Sequence, residues 1–160
     1  MSARTDTVGF IGMGRMGLPM ALNLVKKGFP VVGYDIDPAR VDMLVSEGGG
    51  SADGPAAVAR AASKTVIMVE TTEQARTVIM GQGGIVEGAA AGDIVIASPT
   101  IDPLAVKAMH AELAQKGIGM IDAPVSGGVG RATSGELTIA VGGDEAVSYT
   151  HLTLPTTLVV

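Results

Sequence analysis

GFIGMGRMGLPMALNLVKKG, Gly9 to Gly28, decides how the rest of the chain is read. An apolar run ending at Ile11 meets three glycines, Gly12, Gly14 and Gly17, spaced G-x-G-x-x-G, and these open an amphipathic stretch. That grammar is strand, tight turn, helix. Each glycine serves a distinct physical purpose. Gly12 permits the turn, Gly14 lets a pyrophosphate approach the main chain, and Gly17 lets the helix pack closely on the strand. The helix N-terminus then presents free N–H groups and a positive dipole end to phosphates. Glycine turns are common, so the motif gains its meaning from its surroundings. The following strand pattern ends in GYDID, and Asp35 falls where a carboxylate accepts hydrogen bonds from both hydroxyls of an adenosine ribose. A carboxylate there repels a 2′-phosphate and favours NAD over NADP, although Arg40 nearby offers a phosphate a counter-charge. The simpler reading of Asp35 is a turn residue leading to the helix cap Asp37. The expected cofactor cradle is Gly12, Met13, Gly14, Arg15, Met16 and Gly17, with Asp35.

Working outward, six more or less apolar runs recur: Thr7 to Ile11, Val31 to Tyr34, Thr65 to Val69, Ile94 to Ala97, Gly119 to Asp122 and Leu137 to Val141. Most are continuously apolar rather than alternating, as in strands covered on both faces. Between them lie helix patterns with recognisable ends. DPARVDMLVSEG offers Asp37 as cap, Pro38 at the first helical position and Gly48 as terminator; DPLAVKAMHAELAQKG repeats this with Asp102, Pro103 and Gly117. Met80 to Asp93 is rich in Gly and Ala and reads as a loop with one short helix. Strand, helix, strand in this rhythm predicts right-handed crossovers and a mainly parallel sheet, an α/β doubly wound architecture of the Rossmann type.

Residues 1–147 are expected to form this dinucleotide-binding domain. Asp144 and Glu145 look like the start of a further helix, but SYTHLTLPTTLVV, Ser148 to Val160, breaks the pattern with its Thr/Leu bias and Pro155. The expectation is that 148–160 is a non-native tail, a cloning or assembly scar to be set aside before fold reasoning. The alternative is a genuine short edge strand.

Composition narrows the function classes. A chain of 160 residues builds one domain with a sizeable core, and 47% hydrophobic residues with only 2% aromatics suit helix-on-sheet packing. No apolar run is long enough to span a bilayer, and residues 1–7 lack a secretory apolar core. The absence of cysteine excludes disulfides, thiolate metal sites and a cysteine nucleophile. A net charge of −5 without a basic cluster argues against a nucleic-acid partner. The expectation is a cytoplasmic protein with no membrane partner and no metal.

GFIGMGRMGLPMALNL and, far downstream, DAPVSGGVGRATSGELTIAVGG together resemble the 3-hydroxyisobutyrate dehydrogenase family of β-hydroxyacid dehydrogenases. The second string is the more specific. The resemblance runs from about Val8 to Val147 and corresponds to about the first half of a typical member, without the family's all-helical C-terminal domain. It implies hydride transfer between NAD and a small 3-hydroxy acid, with full-length relatives homo-oligomeric. It also implies that Ser126, Gly127 and Gly128 hold the substrate carboxylate. Physical reasoning agrees, because successive N–H groups in a glycine turn form an anion-binding concavity; read without the family, the string is a polar turn after a strand.

Thr100 matches a family threonine close to the nicotinamide ribose, in a D-x-S-T-x-x-P context. Here Ala97 stands where the aspartate is usual and Pro99 where the serine is usual, and Glu70 replaces a frequent proline. These departures put the particular substrate in doubt. Read alone, Thr100 is a hydroxyl near a helix start, a role that Asp102 fills better.

The resemblance also implies a proton-transferring lysine in a G-x-x-x-K-x-x-N segment, and no such segment occurs here. Lys26, Lys27, Lys64, Lys107 and Lys116 all precede the substrate turn; His110 falls mid-helix and His151 in the suspect tail. The chain is thus expected to carry the cofactor site and part of the substrate site, and to be inactive alone. The competing class is a non-catalytic NAD-binding regulatory module. It would explain the missing lysine but gives no reason for a carboxylate-binding VSGG turn.

Overall fold

The computed structural model describes residues 6–143. The expected boundary at Val147 and the tail 148–160 lie outside the described residues. Strand β1 (Val8–Ile11) leads through the glycine loop into α1 (Gly17–Lys26), then β2 (Val31–Tyr34), α2 (Pro38–Ser46) and a two-residue β3 (Gly50–Ser51). The second half-turn of the fold is α3 (Pro55–Ala61), β4 (Lys64–Ile67), α4 (Thr72–Met80), the short α5 (Ile85–Gly88), β5 (Ile94–Ala97), α6 (Pro103–Ala114) and β6 (Gly119–Asp122). After it come β7 (Val125–Ser126), α7 (Gly128–Ser134), β8 (Thr138–Ile139) and β9 (Gly142–Gly143).

The main sheet has the order β3–β2–β1–β4–β5–β6–β9. All neighbours are parallel except β9, which runs antiparallel to β6. The strand order reverses between β1 and β4, where Val8 is flanked by Val31 on one side and Lys64 on the other. In such sheets ligands bind at this reversal, outside the carboxyl ends of the strands. The doubly wound architecture read from the sequence is the one observed.

The continuous apolar strands are explained by two cores, one on each face. Val8, Phe10, Val66, Ile94 and Ile96 pack with Leu18 and Ala21 of α1 and Leu44 of α2. Ile11, Ile67, Val95 and Ala97 face the other way, against Val58 of α3, Ile79 of α4 and Met109 and Leu113 of α6. Alternate residues of one strand therefore feed different cores, so both sets are mainly apolar.

Both Asp-Pro helix starts form as read. Asp37 accepts the Ala39 N–H at 3.0 Å and Asp102 accepts the Leu104 N–H at 2.9 Å, each satisfying a donor left free in the first turn. One expectation is corrected. Leu137 to Val141 does not continue the parallel series: Thr138–Ile139 pairs antiparallel with Val125–Ser126 in a separate two-stranded sheet. The free edge of β6 is taken instead by β9, which closely follows β8, and β8 pairs with Val125–Ser126. Three elements are not read from the sequence: β3 is a Gly-Ser pair, α3 starts from Gly54 with no capping side chain and only Pro55 to mark it, and α7 is glycine-containing and short.

Candidate functional site

Because β1, β2, β4, β5 and β6 are parallel, the loops after their carboxyl ends meet at one sheet edge. Backbone bonds continue the ladder there: Met68 N–H reaches Ile11 O at 2.8 Å, Ser98 N–H reaches Ile67 O at 3.0 Å and Ala123 N–H reaches Ala97 O at 2.7 Å. This edge collects the glycine loop, Asp35, Glu70, Thr100 and the Ser126–Gly128 turn. All the sequence-derived site residues lie along it.

The three loop glycines are required for three different reasons. Gly12 has φ +86°, and a Cβ there would strike the Met68 carbonyl. A Cβ on Gly17 would strike the Gly12 carbonyl, so the first turn of α1 sits directly on the loop. Gly14 differs. Its φ is not positive, and a Cβ on it would meet no protein atom within 4 Å. Nothing within the described residues demands glycine at this exposed position. The demand fits a ligand approaching from outside, as a diphosphate would. The start of α1 has no side-chain cap and no acidic residue in its first turn, which leaves its positive end to an anion, while Leu18 N–H already reaches the Gly14 carbonyl and Pro19 has no N–H.

Asp35 ties the loop together. One carboxylate oxygen accepts the Met13 N–H at 2.5 Å and the other accepts the Asp37 N–H at 2.8 Å. The turn role and the ribose role are compatible, since a carboxylate offers about four lone-pair sites and only two are used. Met13 contributes from within: its side chain is fully buried and its amide is held by Asp35, while Gly14 and Arg15 form the exposed crest and Met16 is half-buried. Arg40 pairs with Asp37 at 3.5 Å, so its cation is drawn toward the helix cap.

The loop after β4 shows what Glu70 does. Thr71 and Gln74 form a reciprocal cap on α4, and the Gln74 side-chain oxygen accepts the N–H of Glu70 at 2.9 Å as well as that of Thr71 at 3.2 Å. A proline at position 70 has no N–H to give. The neighbouring loop is joined to this cap, because Thr72 Oγ1 accepts the Asp102 N–H at 3.1 Å. Thr100 is exposed between Pro99 and this tie.

In the Ser126–Gly128 turn, Ser126 is exposed and pairs with Thr138 in the two-stranded antiparallel sheet. Gly127 and Gly128 have φ of +134° and +68°, left-handed backbone that favours glycine. Sequence reasoning passed over Arg131. Its aliphatic stem lies against Gly127, since a Cβ on that glycine would sit 2.7 Å from Arg131 Cδ. Only one residue of α7, Ala132, is buried.

Burial raises the pKa of Asp122, the last residue of β6, above its ordinary value. A raised acid is stabilising while protonated, below its unfolded pKa, and that contribution is lost as pH rises through the folded value. Asp122→Asn is therefore expected to raise the melting temperature at neutral pH, the advantage vanishing below the carboxylate range. Thermal melts across pH check this; a variant destabilised at neutral pH would contradict it.

An apolar cleft of about 250 Å³ lies elsewhere, between α1 and the sheet face, lined mainly by residues such as Phe10, Met20, Val66 and Leu137. Its hydrocarbon walls suit a diphosphate poorly, so the cradle at the strand ends is the better site. Among the described residues no group of acidic or histidine side chains could hold a metal ion, and no helix is long and apolar enough to cross a membrane.

A parallel sheet reversing at β1, with an open glycine loop at that reversal, defines a dinucleotide-binding domain. Residues 7–154 match the family model described as the NAD binding domain of 6-phosphogluconate dehydrogenase, and the chain belongs to that family. It is 42% identical over 145 residues to mitochondrial 3-hydroxyisobutyrate dehydrogenase of Bos taurus, covering 91% of this chain and 43% of that protein. Among solved structures, 3-hydroxyisobutyrate dehydrogenase of Salmonella typhimurium superposes with a TM-score of 0.83 at 32% identity, over 89% of this chain and 50% of the other. The Mycobacterium tuberculosis 3-hydroxyisobutyrate dehydrogenase with L-serine gives 0.81 at 30% identity, over 91% and 49%. The chain thus spans about half the length of the relatives it matches.

Proposed function

We propose that this chain is the coenzyme-binding portion of an NAD-dependent oxidoreductase that moves a hydride between NAD and a small 3-hydroxy acid, of which 3-hydroxyisobutyrate is the type. One observation carries the reading: an open glycine loop and the Ser126–Gly128 turn lie along the same carboxyl edge of the sheet. The likeness to enzymes named for 3-hydroxyisobutyrate supports it. We place the protein in the cytoplasm.

Bound here, NAD supplies the hydride-accepting ring. The chain's own residues do the rest of the holding. Gly12, Gly14, Arg15, Met16 and Gly17 form the cradle for the diphosphate, with Met13 supporting it from below. Asp35 takes the ribose hydroxyls with its unused lone pairs, which disfavours a 2′-phosphate. Thr100 would contact the nicotinamide ribose, and Ser126 with the amides of Gly127 and Gly128 would hold the substrate carboxylate.

Oxidation also requires a base for the hydroxyl proton. Lys64 opens β4, Lys26 closes α1 and Lys27 follows it, so these three are at the opposite edge of the sheet. Lys107 is exposed on α6 and Lys116 follows that helix's end. None is placed to take the proton, and we assign that step to a group outside these 160 residues. Calorimetric titration of the purified chain is expected to show NAD binding roughly tenfold tighter than NADP, about the effect of one uncompensated charge contact. No sustained NADH formation is expected with 3-hydroxyisobutyrate. Equal or tighter NADP binding would overturn the coenzyme preference, and steady turnover would overturn the external base.

A further inference from the structure

The side chain of Asn23 bridges two helices. Its Nδ2 donates to the carbonyl of Ala132 at 2.6 Å and to that of Thr133 at 3.3 Å, joining the middle of α1 to the last turn of α7. These carbonyls would otherwise end the helix without a partner of this kind: the neighbouring Arg131 carbonyl is already taken by the N–H groups of Gly135 and Glu136. Both acceptors are carbonyls, so the amide group must present its hydrogens to them.

The tie has an unusual weight because α7 is otherwise weakly held. One of its seven residues is buried, and it starts from two glycines with positive φ, the cap Gly127 and its own first residue Gly128. Glycines bring no side chains to fix the direction of their amides. The orientation of the turn is set at one end by the pairing of Ser126 with Thr138, and at the other by the helix axis that Asn23 fixes. Asn23 stands six positions after Gly17, about 9 Å along the helix whose first turn forms the coenzyme cradle.

We infer that Asn23 is a positioning residue for the substrate-carboxylate turn, setting the direction of the Gly127 and Gly128 amides from the same helix that begins at the coenzyme loop. The inference rests on the reading of Ser126–Gly128 as the carboxylate site. Asn23 itself belongs to neither the glycine loop nor the Ser126–Gly128 turn.

The test is nuclear magnetic resonance on the full ¹⁵N-labelled chain with NAD present. Sodium 3-hydroxyisobutyrate is titrated while the Gly127 and Gly128 amide resonances are followed. In the unaltered chain these resonances should move saturably. Asn23→Asp keeps the size but turns an oxygen toward both carbonyls; it should weaken 3-hydroxyisobutyrate binding roughly tenfold, as for one or two lost oriented hydrogen bonds, with NAD affinity within about twofold. Asn23→Ala carries the same comparison if the aspartate variant does not fold. Absence of any saturable shift in the unaltered chain defeats the carboxylate reading and the inference with it. A normal shift that is equally strong in the variants defeats the inference alone. Parallel loss of hydroxy acid and NAD would mark Asn23 as a general structural contact and also overturn it.

Discussion

Gly14→Val is expected to leave the melting temperature of the chain nearly unchanged while reducing NAD affinity about 100-fold or more. The two halves of that result have separate causes. A Cβ at position 14 meets no protein atom within 4 Å, and the backbone there is not in the left-handed region, so the fold has no objection to valine. A diphosphate seated on the loop would be pushed off the main-chain amides. Losing two charge-assisted hydrogen bonds at about 1.5 kcal/mol each gives roughly 3 kcal/mol, or two powers of ten. Calorimetric titration alongside a thermal melt reads both quantities. Undiminished NAD affinity in a folded variant would remove the cradle from the coenzyme's path.

Gly17→Val, three residues away in the same motif, should behave in the opposite sense. Its Cβ would collide with the Gly12 carbonyl, and that carbonyl belongs to a turn already pressed against Met68. The loop or α1 must shift, which costs about 2–3 kcal/mol as for other overpacked sites. For a domain of this size the melting temperature should fall by roughly 5–10 °C. NAD binding falls as well, but as a consequence of the displaced helix. A variant that melts like the parent would show that α1 is not seated where the loop holds it.

The contrast bears on what could be read from residues alone. The G-x-G-x-x-G spacing, the apolar strands covered on both faces and the two Asp-Pro helix starts are local signals, and each produced the expected element. Asp35 was legible as a carboxylate at the end of β2. Its bond to Met13 was not, because the two residues are brought together only when β2 lies beside β1. The hairpin of β7 and β8 escaped for a similar reason. LTIAV has the composition of a buried strand, and nothing in it tells that its partner is Val125–Ser126 rather than β6. Asn23 sits in the middle of a helix pattern like any exposed polar residue, and its partners are more than a hundred positions away. The hydrogen bond from Glu70 to Gln74 shows the intermediate case: the Thr71–Gln74 spacing could have been recognised as a capping box, whereas the extra acceptor role of Gln74 depends on loop geometry.

The placement of β1 between β2 and β4 governs the order in which the molecule can assemble. Its first flank, β2, arrives after one helix, but its second flank waits until Lys64–Ile67 has been made and has closed a much longer loop. The turn at Gly12 is shaped against the carbonyl of Met68, which directly follows that late strand. The nascent chain can therefore form its first strand–helix–strand unit early and still lack a finished coenzyme seat. Competence to bind comes only with the closing of the sheet's centre, so any change that delays β4 also delays the cradle.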